Sequence, residues 1–205
     1  MMRISTRTRP RGMTLVEMIV VIALTGVVLG AIGRTLAYFY RTNAYVIEQT
    51  QAVEGARRST EGALADLREA SYGDDGSYPI SDAATSTVTF YADIVGDASV
   101  ERVRYYLSGT TFYRAVTQSA GNPPSYAGQD ETVDVVVDNI RNGTSTPLFR
   151  YYDADGDELP APIDASKIAS VKATVMTDVN PDRAPAVYTL VESATIRSLR
   201  DTSAE

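Results

Sequence analysis

The pattern of hydrophobic and polar positions divides the chain into three kinds of segment. From Met13 to Gly33 almost every residue is apolar, and Glu17 carries the only charge. From residue 34 to 72 apolar residues recur at helical spacing among charged ones, without a proline. Together, these two segments predict one helix of about 60 residues, roughly 90 Å long if unbroken.

Beyond residue 72 the pattern changes to short segments rich in β-branched and aromatic residues. Gly73, Gly76 and Pro79 predict the end of the helix, and residues 73–86 form a linker. Several of the following segments alternate apolar and polar residues, as half-buried strands do. The predicted strands are 87–95, 100–107, 111–116, 132–140, 148–152, 170–178 and 187–199.

The connections between these strands favour antiparallel pairing. Ser108-Gly109-Thr110 and Arg141-Asn142-Gly143 are short and typical of hairpin turns. A sheet needs its apolar face covered, and the only long helix predicted is the N-terminal one. We therefore expect an α+β fold, in which residues 34–72 continue the helix and, from about residue 45, pack across an antiparallel sheet formed by residues 87–205.

The apolar segment 13–33 is long enough to cross a lipid bilayer. Its 21 residues span roughly 30 Å as a helix, the thickness of the hydrocarbon core. Residues 1–12 form a basic leader with four arginines and no acidic residue, which predicts that this end stays in the cytoplasm and the body lies outside. The chain has a net charge of −7, so direct nucleic-acid binding is not expected.

Three interpretations of this N-terminus are open. A secretory signal peptide would be cut after Gly33, but the uncharged stretch from Met18 to Gly33 is slightly longer than the usual ~7–15 residues. A plain membrane anchor gives Glu17 no role, although a carboxylate costs ~2.5–3.5 kcal/mol at the centre of a bilayer. In the third interpretation the leader is removed, the helix stays, and Glu17 has a partner.

Gly12-Met13-Thr14-Leu15-Val16-Glu17, placed between a basic leader and an apolar helix, resembles the processing site of type IV prepilins and pseudopilins. The resemblance implies that a prepilin peptidase cuts between Gly12 and Met13 and methylates the new Met13 amine. Glu17, then the fifth residue, would meet the N-terminal amine of a neighbouring subunit and set the axial register. Such a carboxylate in the first turn also complements the helix dipole.

The body resembles, more diffusely, the W-type minor pilins and the J-type minor pseudopilins, through residues 103–116, residues 149–162 and a closing pair of predicted strands that ends in residues 195–201. This implies a pilin-like fold and a structural subunit of a type IV pilus, type II secretion or competence filament, acting in its tip or initiation complex. The partners would be other subunits, contacted through the N-terminal helix.

The protein would be a single-pass protein of the cytoplasmic (inner) membrane, and then part of a cell-surface or periplasmic filament. The alternative is an exported binding protein or adhesin with a signal peptide or plain anchor.

The composition argues against catalysis. The chain has no cysteine and no histidine, which excludes thiol nucleophiles, Ser/His/Asp triads, disulfides and most zinc or haem sites. We therefore expect neither enzymatic activity nor a cofactor, with calcium as the one ligand to consider.

A candidate calcium site lies between two predicted strands. Asp153, Asp155 and Asp157 alternate, and Asp164 occupies the twelfth position, as oxygen ligands do in an EF-hand loop. Glu158 stands where such a loop has its glycine, and prolines follow. The partial match favours an Asp/Gly-rich turn over a metal site.

Tyrosines occur in adjacent pairs in two predicted strands. Neighbouring strand residues point to opposite faces, so one tyrosine of Tyr105-Tyr106 and one of Tyr151-Tyr152 is expected in the core.

Overall fold

The computed structural model describes residues 12–97, 99–143, 145–182 and 187–200, so all of the predicted leader except Gly12 lies outside the described residues. The chain forms two compact units that divide after Ile47. The first consists of the N-terminal part of a long helix. The second contains the remainder of that helix and all the strands.

Helix α1 runs from Leu15 to Arg68 without a break, which confirms the single long helix. It begins two residues later than Met13, because Thr14 caps it: the Glu17 N–H donates to Thr14 Oγ1 at 3.3 Å. It ends before residue 72 with a tightened last turn, in which the N–H groups of residues 69 and 70 donate to carbonyls three residues back.

Within the described residues eight strands follow, all paired antiparallel. Strands β1 to β5 form a five-stranded sheet in that order, and β6 to β8 form a three-stranded sheet. The bounds are β1 Ile80–Ala83, β2 Thr87–Ala92, β3 Glu101–Ser108, β4 Thr111–Thr117, β5 Thr132–Val137, β6 Phe149–Tyr152, β7 Ser170–Thr177 and β8 Tyr188–Thr195. A 3-10 helix spans Ala165–Lys167, and a short helix α2 spans Arg197–Arg200. The α+β, pilin-like prediction is confirmed, but with two sheets rather than one.

The two predicted hairpins have different outcomes. Ser108 pairs with Thr111 across a tight turn in which Gly109 has a φ of 61°, so the first hairpin is confirmed. The second is wrong, since residues 141–143 connect the two sheets instead of pairing neighbouring strands. The buried side chain of Asn142 donates to Thr174 O and accepts from Met176 N on β7, which makes this segment a bridge to the second sheet.

One core joins the sheets and the second part of α1. Residues 56, 60, 63, 64 and 67 of the helix are buried, a spacing that puts them on one face. The apolar members of this set pack with the inward-facing residues of β2, β3, β4, β6, β7 and β8 in a single cluster. Tyr105 and Tyr151 are buried in it, whereas Tyr106 and Tyr152 are half-buried, as the alternation predicts.

Candidate functional site

The N-terminal motif has its predicted cleavage point just outside the helix. Gly12 and Met13 are exposed and precede the first helical residue, and Met13 keeps 56% of its surface accessible. Glu17 lies in the first turn of α1. A peptide bond in this position is free of helical hydrogen bonds, so a protease can bind it without unwinding α1.

Sequence analysis missed the role of Thr14. Thr14 and Glu17 have the spacing of a capping box, in which the first residue caps the helix and the second is the third helical residue. The threonine therefore determines where the helix begins, and it places Glu17 one turn from the predicted cleavage point. The signal that could have identified it is the Thr-x-x-Glu pattern itself.

The first unit exposes apolar side chains all around the helix. From Leu15 to Ile32, twelve large apolar side chains are exposed, and no face of this part is buried. A helix apolar on every side is typical of a segment surrounded by lipid or by other helices. Among the described residues, α1 is the only helix long and apolar enough to cross a membrane.

Two hydroxyl groups, one within this apolar segment and one just after it, make hydrogen bonds within the helix. Thr25 Oγ1 donates to Val21 O at 2.7 Å, and Thr35 Oγ1 donates to Ala31 O at 3.0 Å. Gly26 and Gly30, one turn apart, leave bare backbone with nothing within 4 Å of where a Cβ would lie. Hydroxyls bonded within the helix and small residues at this spacing both suit packing of helices in a bilayer.

A comparison with known families identifies this segment. The family model described as the prokaryotic N-terminal methylation motif matches residues 7–33. The chain carries the type IV prepilin signal. The match includes Gly12, Met13 and Glu17 and ends where the apolar segment ends. No curated protein matches the chain.

The prepilin signal and the fold agree with each other. A long N-terminal helix, apolar at its start and followed by antiparallel sheets, is the pilin-like architecture. Prepilin-type helices anchor their proteins in the inner membrane before assembly, and the single apolar helix found here fits that location. The motif and the fold therefore both support a pilin-like or pseudopilin-like protein.

The body holds its part of α1 through an ionic latch, which we define as Asp66, Tyr105 and Arg114. Tyr105 OH donates to Asp66 Oδ2 at 2.8 Å, and Arg114 Nη2 lies 3.1 Å from the same oxygen. Burial, and next the Asp66 carboxylate, raise the pKa of Tyr105. The latch joins the helix to strands β3 and β4, and sequence analysis did not detect it.

Two of the four candidate calcium ligands, Asp153 and Asp164, make local hydrogen bonds with their side chains. Asp153 Oδ1 accepts the N–H groups of Asp155 and Asp157 at 3.1 and 2.8 Å, which closes a turn. Asp164 caps the 3-10 helix by accepting from the Ser166 N–H and hydroxyl, and these bonds lower the pKa of Asp164. Within the described ranges, no group of three or more acidic side chains is placed to hold a metal ion.

Proposed function

We propose that this protein is a minor pilin or pseudopilin, a structural subunit that works in the tip or initiation complex of a type IV pilus, type II secretion or competence filament. The observation that carries the proposal is the methylation motif at residues 7–33, continuous with a helix whose apolar side chains are exposed on all sides. Such a surface needs lipid before assembly and neighbouring helices after it.

Processing would begin at the membrane. A prepilin peptidase cuts between Gly12 and Met13 on the cytoplasmic side and methylates the new amine. The cut creates a positive charge at the start of α1, four residues before Glu17. In the bilayer an unpaired carboxylate is unfavourable, so Glu17 gains most by pairing with an N-terminal ammonium.

Pairing between subunits would give the filament its register. Glu17 of an incoming subunit meets the Met13 amine of one already assembled, and both charges are neutralised away from water. Apolar helix packing supplies adhesion without direction, whereas the ion pair selects one axial position. The role is structural rather than catalytic.

The assignment to a minor subunit rests on the body. The sequence stretches that resemble W-type minor pilins and J-type minor pseudopilins, residues 103–116 and 149–162, begin in β3 and β6 respectively. A subunit present in few copies needs surfaces that recognise particular neighbours, and the sheets and loops of the body would present them. The body would lie outside the inner membrane and then in a surface or periplasmic filament.

The experiment that tests the proposal is the mass of the N-terminal peptide of protein purified from its native membrane. We expect a peptide that begins with N-methylated Met13. A peptide that begins at Arg34 would show a cleaved signal peptide, and one that retains residues 3–12 would show a permanent anchor. Either of these would contradict the proposal and support the exported binding protein.

A second test separates assembly from processing. Glu17→Ala should leave cleavage and membrane insertion intact but reduce incorporation into filaments at least tenfold, as expected when a buried charge loses its partner. Glu48→Ala removes an exposed acidic residue of the same helix and serves as the matched control. Equal incorporation of both variants would refute the register pairing.

A further inference from the structure

The outermost strand of the five-stranded sheet has an open edge. Within the described residues β5 is the last strand of that sheet, and its first four residues, 132–135, are all exposed. Val133 and Val135 are 45% and 60% accessible. Natural proteins usually protect such an edge with lysine, proline or a covering element, and β5 contains neither lysine nor proline.

Helix α1 covers only the far end of this edge. Ser59 Oγ donates to Val136 O at 3.3 Å, and a Cβ on Gly55 would lie 3.5 Å from Val137 Cγ2. The last two residues of β5 are accordingly half-buried. The free part of the edge is therefore residues 132–135, which we call the open edge.

The sheet face beside the open edge continues it as an apolar row. Tyr106 pairs with Tyr113, and Tyr113 pairs with Val135, so these side chains follow one another across three strands. The two tyrosine rings stack with centroids 5.1 Å apart, and the Arg104 guanidinium lies over the Tyr106 ring. Rigid tyrosines beside arginine are common in the centres of protein interfaces.

On the opposite face, the open edge borders a groove of about 460 Å³ beside α1. Gly55 and Gly62 contribute no side chains to its wall, which leaves room for the side chain of an added strand. Arg58 and Arg114 both line the groove, and Asp134 is the one carboxylate that lines it.

One donor in this groove lacks an acceptor. Arg114 Nη2 pairs with Asp66, but Arg114 Nε is buried and has no hydrogen-bond partner among the described residues. The Arg58 side chain is 72% exposed; its Nε donates to the Glu54 carbonyl oxygen at 3.4 Å and lies 3.9 Å from the Glu54 carboxylate. A carboxylate entering the groove would find two guanidinium groups, which gives the site a preference for acidic side chains.

We propose that the open edge binds an extended segment of another protein as an added β-strand. The segment carries β-branched or aromatic residues at alternate positions, which extend the row through Val133 and Val135. Between them it carries an acidic residue that enters the groove toward Arg58 and Arg114. Main-chain hydrogen bonds provide affinity, and these alternating side chains provide specificity. The inference concerns the body alone and holds whether or not the N-terminus is processed.

The test uses the full-length protein in detergent and two blocked, fluorescent nine-residue peptides. Both have valine at every second position and threonine elsewhere, and they differ in a central glutamate or lysine. Fluorescence anisotropy should show saturable binding of the glutamate peptide and about tenfold weaker binding of the lysine peptide. Hydrogen exchange should slow at residues 132–135 when the glutamate peptide binds.

Variants of exposed residues identify the site without disturbing the core. Val133→Lys with Val135→Lys should weaken binding at least tenfold, because two charges then lie on the apolar row. The matched control is Val191→Lys on β8, the outer strand of the other sheet, where the valine is 51% accessible. Arg58→Glu should invert the preference between the peptides, whereas Arg57→Glu, next to it but outside the groove, should not.

Three results would overturn the proposal. The first is no saturable binding up to about 1 mM of the glutamate peptide. The second is that the Val133→Lys, Val135→Lys variant binds the glutamate peptide as tightly as the wild type, or that the Val191→Lys control loses as much affinity as this variant does. The third is that light scattering shows a dimer of the wild type and a monomer of the Val133→Lys, Val135→Lys variant. This result would show that a second copy of the chain occupies the edge.

Discussion

Replacing Tyr105 by phenylalanine removes the hydroxyl that joins strand β3 to helix α1 in the ionic latch. The hydroxyl donates to Asp66 Oδ2 at 2.8 Å, and Arg114 approaches the same oxygen at 3.1 Å. The ring of Tyr105 stacks between Phe90 and Phe112, so phenylalanine keeps the packing and tests the hydrogen bond alone.

The expected magnitude follows from the charge and exposure of the latch. A hydrogen bond to a charged group contributes ~1.5–3 kcal/mol. Because the Asp66 side chain is one quarter exposed, Tyr105→Phe should lower the free energy of unfolding by about 1.5 kcal/mol. Asp66→Ala should lower it by about 2–3 kcal/mol, since it also leaves Arg114 without its ion pair.

A double-mutant cycle of Tyr105→Phe and Asp66→Ala, measured by chemical denaturation, isolates the interaction energy between these two side chains from the other effects of each substitution. The combined variant should be less destabilised than the sum of the single variants by about 1–1.5 kcal/mol. Tyr72→Phe, in which the replaced side chain is exposed, is the control and should change stability by less than about 0.5 kcal/mol. A coupling below about 0.3 kcal/mol would refute the latch.

Three further predictions concern the body. Asn142→Ala should cost about 2–3 kcal/mol in chemical denaturation, because buried groups on β7 lose their partners; a loss below about 0.5 kcal/mol would contradict the bridge between sheets. Burial raises the pKa of Tyr105 and Tyr151. Their contribution to the stability of the fold is therefore fully present below the ordinary tyrosine pKa of about 10, and it is lost as the pH rises further. Absorbance at 295 nm should therefore show a late ionisation step that coincides with loss of circular dichroism, and a single step near pH 10 with the fold intact would be evidence against it. Calcium should leave the melting temperature unchanged, because Asp153 already closes its turn; a rise of more than about 3 °C that Asp157→Ala abolishes would establish the metal site.

The elements that were predicted well depend on neighbours in sequence. The long helix follows from an unbroken helical spacing without proline, and the hairpin at Gly109 follows from a glycine that must adopt a positive φ. The alternation in β3 and β6 correctly placed one tyrosine of each pair in the core. These features need no knowledge of the tertiary fold.

The errors arose where a distant contact outweighed the local pattern. Arg141-Asn142-Gly143 has the composition of a hairpin, but the amide of Asn142 bonds to β7, more than 30 residues away. Strand β1, Ile80–Ala83, lies in the segment predicted to be a linker, because it is short and half polar, and pairing with β2 stabilises it. The last predicted strand ends at Thr195, and Ser198 in the short helix after it donates to Ala70 O at 2.7 Å.

The sequence by itself determined the motif and the apolar helix at the N-terminus. The methylation motif and the apolar helix both depend on residues that follow one another, so the order Gly12, Met13, Glu17 and then an apolar helix is visible directly in the sequence. Only the tertiary structure decided which charges pair in the body and which strand edge stays open. Asp66 meets a tyrosine 39 residues away, and β5 is exposed because its partners lie on one side only. Such contacts depend on how the sheets and the helix pack, and no local pattern encodes them.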